Sequence, residues 1–168
     1  MIDESAKELI EPVSMEEIRK YVGFDKDDTR EDVLLKTLVS SQRALLEELM
    51  GRIIVEREFV AHPQRYGFVR LLPSLQKVMS ITYRGKDGQE KEVQDFDVAQ
   101  GDAALVEFCI DEAFSDIVIR FQSGFGIIPE TIKDAIKDLV KARYERTTVE
   151  EVLAAVRITT QKHWMEHI

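Results

Sequence analysis

Over the first third of the chain, apolar residues recur at helical spacing with polar residues filling the gaps between them. In "VSMEEIRKYVG", Ser14 and Glu17 stand at capping-box spacing, Val13 can staple the entry and Gly23 can close the far end in a left-handed cap. A short helix burying Ile18, Tyr21 and Val22 follows from that spacing. A longer helix is expected over residues 29–50, with Thr29 and Asp32 as its start signal and Gly51 as its stop. On a helical wheel Leu34, Leu35, Leu38, Val39, Leu45, Leu46, Leu49 and Met50 cover an arc of roughly 160°, wide enough to meet more than one neighbour, inside the domain or in another subunit. Gln42 falls near the middle of this arc, where an amide needs hydrogen-bond partners.

Between residues 52 and 122 the period changes to two. "RIIVEREFV" alternates after Ile54, "VMSITYR" is a β-branched and aromatic run, and "GKDGQ" holds the Asp-Gly pair that favours a tight hairpin. "ALVEFCI" and "DIVIRF" supply two more strands. Helical spacing returns after Pro129, which fits the first turn of a helix because its missing N–H would be unpaired there. Ile132, Ala135, Ile136, Leu139, Val140 and Ala142 form its apolar arc, with Glu130/Lys133, Asp134/Lys137 and Asp138/Lys141 as opposite-charge pairs outside it. Arg143 projects inside the arc, where it either snorkels to water or pairs across a subunit boundary. A last helix starts at "TTVEEVLAAV", with Thr148 and Glu151 at capping-box spacing. The expected fold is therefore α+β and mainly helical, a small helical bundle with an inserted antiparallel β section. Its organisation is an arm over residues 1–12, a domain over 13–147 and an extension over 148–168.

Composition narrows the function classes. The 44% apolar and 33% charged residues are ordinary for a globular chain, and its 168 residues suit one domain. The acidic start "MIDESAKELIEP" and the lack of a long apolar run give no expectation of a secretory signal or a membrane span. A net charge of −9 repels phosphate backbones at long range and argues against general nucleic-acid binding, although solubility alone can account for it. Cys109, the single cysteine, sits in an apolar run and is expected to be a buried, inert thiol.

No constellation amounts to an active site. Gly124 and Gly126 in "FQSGFGIIPETIKD" follow a strand and precede a helix, as in a phosphate loop. A third glycine and a Gly-Lys-Ser/Thr are missing, and Pro129 and Glu130 stand where N–H groups and positive character would be needed. A turn explains the stretch with less. His163 and His167 are four apart without the Glu of a metalloprotease helix, and His62 lies before Pro63 in an expected loop. The acidic run "DKDDTRED" lacks the glycine and terminal Glu of a calcium loop and reads as a solvated helix start. No catalytic, cofactor or metal residues are expected.

The order of parts resembles the head-tail connector (adaptor, or head-completion) proteins of tailed bacteriophages. The short and long helices ending at Gly51-Arg52 carry the resemblance, as do "LLPSLQKVMSITYRGKDG" and "IVIRFQSGFGIIPETIKDAIKDLVKARYERT". It spans about residues 14–148 and departs over 95–112 and beyond Thr148. The resemblance implies a structural virion protein made in the host bacterial cytoplasm. It would form a ring at the head-tail junction, follow a dodecameric portal and meet a stopper or tail-completion protein. DNA would pass through an acid-lined channel without specific binding, with no cofactor and no membrane. Leu38, Gln42, Leu45, Leu49 and Arg143 are then the candidates for the subunit interface, and Val156, Ile158, Trp164 and Met165 for docking onto a partner. From other classes, a small metal-dependent hydrolase using the acidic run and terminal histidines, or a cytosolic adaptor outside virions, would share the same composition.

Overall fold

The structure, a computed structural model, describes residues 2–4 (backbone only), 9–25, 27–99 and 104–161. It divides into two compact units. The helical unit comprises the described residues of 10–54 and 127–161, and the sheet unit those of 2–9 and 55–126. The chain passes between the units three times, at residues 9–10, 54–55 and 126–127.

The helical unit holds α1 (Met15–Val22), α2 (Asp32–Met50), α3 (Glu130–Tyr144) and α4 (Val149–Thr160). The capping box of α1 forms: the Glu17 N–H donates to Ser14 Oγ at 3.3 Å, and the Ser14 N–H donates to the Glu17 carboxylate at 2.8 Å. Ile18 is fully buried, whereas Tyr21 lies at the surface. The Tyr21 hydroxyl donates to Asp138 of α3, and the Lys137 and Lys141 ammonium groups lie 5.5 and 5.6 Å from its ring centroid. The hydrogen bond to Asp138 pushes the phenol up from 10.0 to about 12, because ionising it would set two anions side by side. A core tyrosine was expected; its hydroxyl instead takes it to the rim, where it ties α1 to α3.

α2 begins at Asp32, three residues later than the sequence pattern places it. Asp28 accepts from both the backbone N–H and the guanidinium of Arg30, which closes a local turn ahead of the helix. Asp32 does not cap; it accepts two bonds, at 2.6 and 2.7 Å, from the Arg19 fork on α1. Along α2 the side chains of Leu35, Val39, Leu46 and Met50 are buried, joined by Gln42 and Arg43. Arg43 is only 4% exposed. Its Nε donates to Glu11 at 2.9 Å and its Nη1 to Glu47 at 2.6 Å, while the other Glu47 oxygen accepts the Ile54 N–H at 2.8 Å. One buried ion cluster thus ties two connecting segments, at residues 11 and 54, to the middle of α2. All six residues of the predicted α3 arc are buried, and Glu130–Lys133 and Asp134–Lys137 each close at 2.6 Å. The capping box expected at Thr148 does not form; Thr148 makes no side-chain cap bond.

The sheet unit contains β1 (Ile2–Glu4), β2 (Arg57–Ala61), β3 (Gly67–Arg70), β4 (Leu75–Gly85), β5 (Glu90–Glu92), β6 (Phe96–Ala99), β7 (Leu105–Phe108) and β8 (Phe114–Ser123). They form two antiparallel sheets, of order β1-β2-β8-β4-β5 and β3-β7-β6. β8 is central to the first: Ile117, Ile119, Phe121 and Ser123 point inward at period two, and Phe121 stacks on Phe59 of β2 with centroids 5.6 Å apart. Between β4 and β5 the expected hairpin closes at Gly88, φ 77°, whose N–H donates to Gly85 at 2.9 Å. Residues 2–4, within the segment expected to be an arm, add an edge strand to β2.

Among the described residues the fold is α+β and not mainly helical, with four helices at 36% beside two antiparallel sheets at 28%. β3 and β6 escape a reading by alternation because strands of four residues carry only one or two inward side chains each. Cys109 is exposed rather than buried, since inward positions after β7 fall on Val106, Phe108 and Ile110 and leave 109 on the outer face. No helix of the described residues is long and apolar enough to cross a membrane.

Gly124 is a glycine for two separate reasons. Its φ is 139°, and a Cβ there would sit 2.4 Å from the Glu56 Cα. Its N–H donates to Ser74 O at 2.9 Å and its carbonyl accepts from Gln76 Nε2 at 2.7 Å, so the backbone cannot move aside freely. Replacing Gly124 by Ala should lower stability by about 2–4 kcal/mol, through the clash and the disfavoured φ. Gly126→Ala, where the added carbon meets only Gln76 at 3.5 Å, should be neutral or slightly stabilising. Urea denaturation of the two variants, read side by side, checks the difference. Glu47→Ala should cost about 3–5 kcal/mol in the same measurement, because it strips a buried guanidinium of one partner.

Candidate functional site

On the helical unit, an open cleft of about 660 Å³ lies between the start of α2 and the end of α3. It is lined by Glu31, Leu34 and Leu38 from the former and by Arg143, Tyr144, Arg146 and Thr147 from the latter. Leu34 is 45% exposed, and Val33 beside it on α2 is more exposed still. The apolar arc of α2 is wider than the unit can cover. Leu35 and Val39 turn inward, and the flank carrying Leu34 and Leu38 is left partly in solvent.

The two arginines are held differently from Arg19 and Arg43. Arg19 and Arg43 each grip a carboxylate within 3 Å, whereas neither Arg143 nor Arg146 has a carboxylate partner among the described residues. Arg146 also stands at φ 56°, the left-handed position that ends α3. The Thr147 N–H and Oγ1 both donate to the Ala142 carbonyl, at 3.0 and 3.1 Å, and so fix that reversal. Glycine or asparagine is usual at such a position; an arginine there is strained by about 1–2 kcal/mol.

Of the interface candidates read from the sequence, Leu38 and Arg143 meet in this cleft. Gln42 is buried, its Nε2 donating to Ser41 Oγ at 3.2 Å, and Leu45 and Leu49 are half-buried outside the cleft. Leu34, Tyr144 and Arg146 belong to the site and were not singled out. An Arg-Tyr-Glu-Arg run at a helix end was the available signal, since residues three apart lie on one face. Of the docking candidates, Val156 is buried, Ile158 is 75% exposed, and Trp164 and Met165 lie outside the described residues, as do His163 and His167. Two carboxylates of the acidic run, Asp28 and Asp32, are committed to ion pairs. Hydrogen bonds from Arg30 hold the Asp28 carboxyl down at about 2, and those from Arg19 hold Asp32 below the usual range.

The sheet unit has an open face of its own, on β3-β7-β6. Phe68 pairs with Glu107, and Glu107 with Asp97, in one row across the three strands. The next row reads Arg70, Leu105, Ala99. Phe68 is 72% exposed and Leu105 40%. Glu107 and Asp97 stand side by side as exposed like charges, with no cation partner among the described residues, an arrangement that weakens the sheet by itself.

No protein-family model and no curated protein sequence matches this chain. Solved structures do match in fold. A chain from the neck of an empty GTA particle, computed with C6 symmetry, superposes with a TM-score of 0.78 at 17% identity, over 100% of this chain and 97% of that one. One from the virion of a native gene transfer agent (GTA) particle gives 0.73 at 16%, and one from the neck of a native GTA particle computed with C12 symmetry gives 0.70 at 13%, with the same coverage. This chain therefore has, over its whole length, the fold of proteins found in gene transfer agent necks and virions.

Relief of the strain at residue 146 is measurable. Arg146→Gly should raise stability by about 0.5–1 kcal/mol, the left-handed penalty less the added chain entropy of glycine. A higher melting temperature in a thermal scan is the expected result, and a lower one would mean that the arginine side chain supports the fold.

Proposed function

We propose that this chain is a structural protein of the neck of a tailed, phage-like particle. Its copies form a ring adaptor between the portal at the capsid vertex and the tail, and complete the head after DNA packaging. The observation that carries the reading is the end-to-end likeness to chains of solved particle necks, which extends over both units and both chains. The C6 and C12 symmetry of those necks supports a ring whose copy number follows a twelve-fold portal. The sequence resemblance to head-tail connectors points the same way and rests on different grounds, the order of motifs.

A net charge of −9 suits a channel wall. Each cation facing the lumen would neutralise a phosphate and strengthen binding, so a wall of carboxylates lets DNA slide without adhering. Residues 148–168, with Ile158 exposed on α4, are the segment proposed to dock on the portal or on a stopper protein.

The test is to image particles carrying this chain, tagged on its exposed Cys109 with a gold cluster. Density in a ring at the tail-side end of the portal, with acidic residues facing the lumen, is the expected picture. Absence of the chain from the neck, or a continuous basic lining, would overturn the reading.

A further inference from the structure

The two open faces complement each other, and we infer that they meet. The β3-β7-β6 face of one copy seats in the α2–α3 cleft of the next, Phe68 entering against Leu34 and Leu38 while Asp97 and Glu107 take Arg143 and Arg146. The inference rests on the ring reading and names the contact that would build the ring.

Four observations carry it. The cleft offers exposed leucines beside two guanidinium groups that no carboxylate of the described chain engages. The sheet face offers an exposed phenylalanine and leucine beside two carboxylates that no cation engages. Each face is unfavourable alone: Arg146 is held at φ 56°, and Glu107 and Asp97 repel across neighbouring strands. The chain carries 32 acidic and 23 basic residues, yet these two neighbouring arginines close no ion pair among the described residues.

Chemistry selects the second copy over other occupants. A row of phenylalanine, glutamate and aspartate, with Cβ atoms of directly opposed residues about 5 Å apart, matches a cleft lined by two leucines and two arginines. Because the two faces differ, the contact is heterologous, the type that propagates from copy to copy and closes only by rotation. Glu31 in the cleft and Arg70 on the sheet face add a further possible pair of the same sign pattern, with the roles reversed.

The contact can be trapped. In full-length chains lacking the native thiol (Cys109→Ser), one preparation carries Leu34→Cys and the other Phe68→Cys. They are mixed with portal-bearing heads and oxidised mildly, and neck occupancy is imaged on the same sample. Mixed disulfide dimers should form in large excess over either like-with-like dimer. Arg143→Gln with Arg146→Gln on the first preparation, or Asp97→Lys with Glu107→Lys on the second, should each cut the yield by about tenfold or more. Arg143→Glu with Arg146→Glu, combined with Asp97→Lys and Glu107→Lys on the partner, should restore it to within about threefold of the original. Arg146→Gly should lower the yield while leaving or raising the melting temperature, which separates a role in contact from one in folding.

Yields unchanged by either set of substitutions, or a reversed pair that fails to recover, would overturn the contact. If rings of this chain are seen at the neck in that case, the adaptor reading stands and only the assigned faces are wrong. If the chain never enters the neck, both fall together.

Discussion

Arg43 sets the constraint around which the helical unit is arranged. A guanidinium cannot be neutralised at any ordinary pH, so taking it out of water requires carboxylates within hydrogen-bond reach. Glu47 supplies one from the next turn of α2, and Glu11 supplies the other from the segment ahead of α1. The second oxygen of Glu47 is then free to take the Ile54 N–H. Chain that is far apart in sequence is fixed to one point on α2 because a single buried charge needs company. The sheet unit meets the corresponding demand with backbone alone: residues 55 and 56 run so close to Gly124 that no side chain fits between them.

Charges elsewhere follow a different rule. Arg19, Arg30, Lys91, Lys133 and Lys137 all close short ion pairs, each worth little. Arg143 and Arg146 close none among the described residues, and neither do Asp97 and Glu107. What distinguishes these four is their place beside exposed apolar side chains, where a partner of opposite sign could meet both. Such rim charges orient an approach and exclude wrong partners more than they tighten a complex. Tightness must come from Phe68, Leu105, Leu34 and Leu38, which are few.

The sequence was readable where a long element buries one face. Six of six positions on α3 and the period-two core of β8 follow directly from spacing, and the capping box of α1 forms as written. It was not readable where elements are short or where a tertiary partner outbids a local preference. β1, β3 and β6 are three or four residues long, and missing them turned an evenly mixed fold into an expected helical bundle. Asp32 had the right place for a cap but found Arg19; Tyr21 had a core position but its hydroxyl found Asp138. At the candidate site, Leu38 and Arg143 could be guessed from the α2 arc and the odd charge on α3. Arg146 was legible too, three residues after Arg143; the left-handed turn it occupies was not.

A contact of this kind fits a part that must wait before assembling. Four apolar side chains and screened rim charges make a weak pairwise interface. Weakness is useful if copies are to stay apart in solution. Once a template fixes several of them at a set radius, each neighbour is presented at high effective concentration, and every copy uses both faces at once. The contacts then add around the ring without any one of them being strong. The repulsion between the opposed carboxylates is a cost borne by the isolated chain, and in the proposed ring the arginines of a neighbouring copy would offset it.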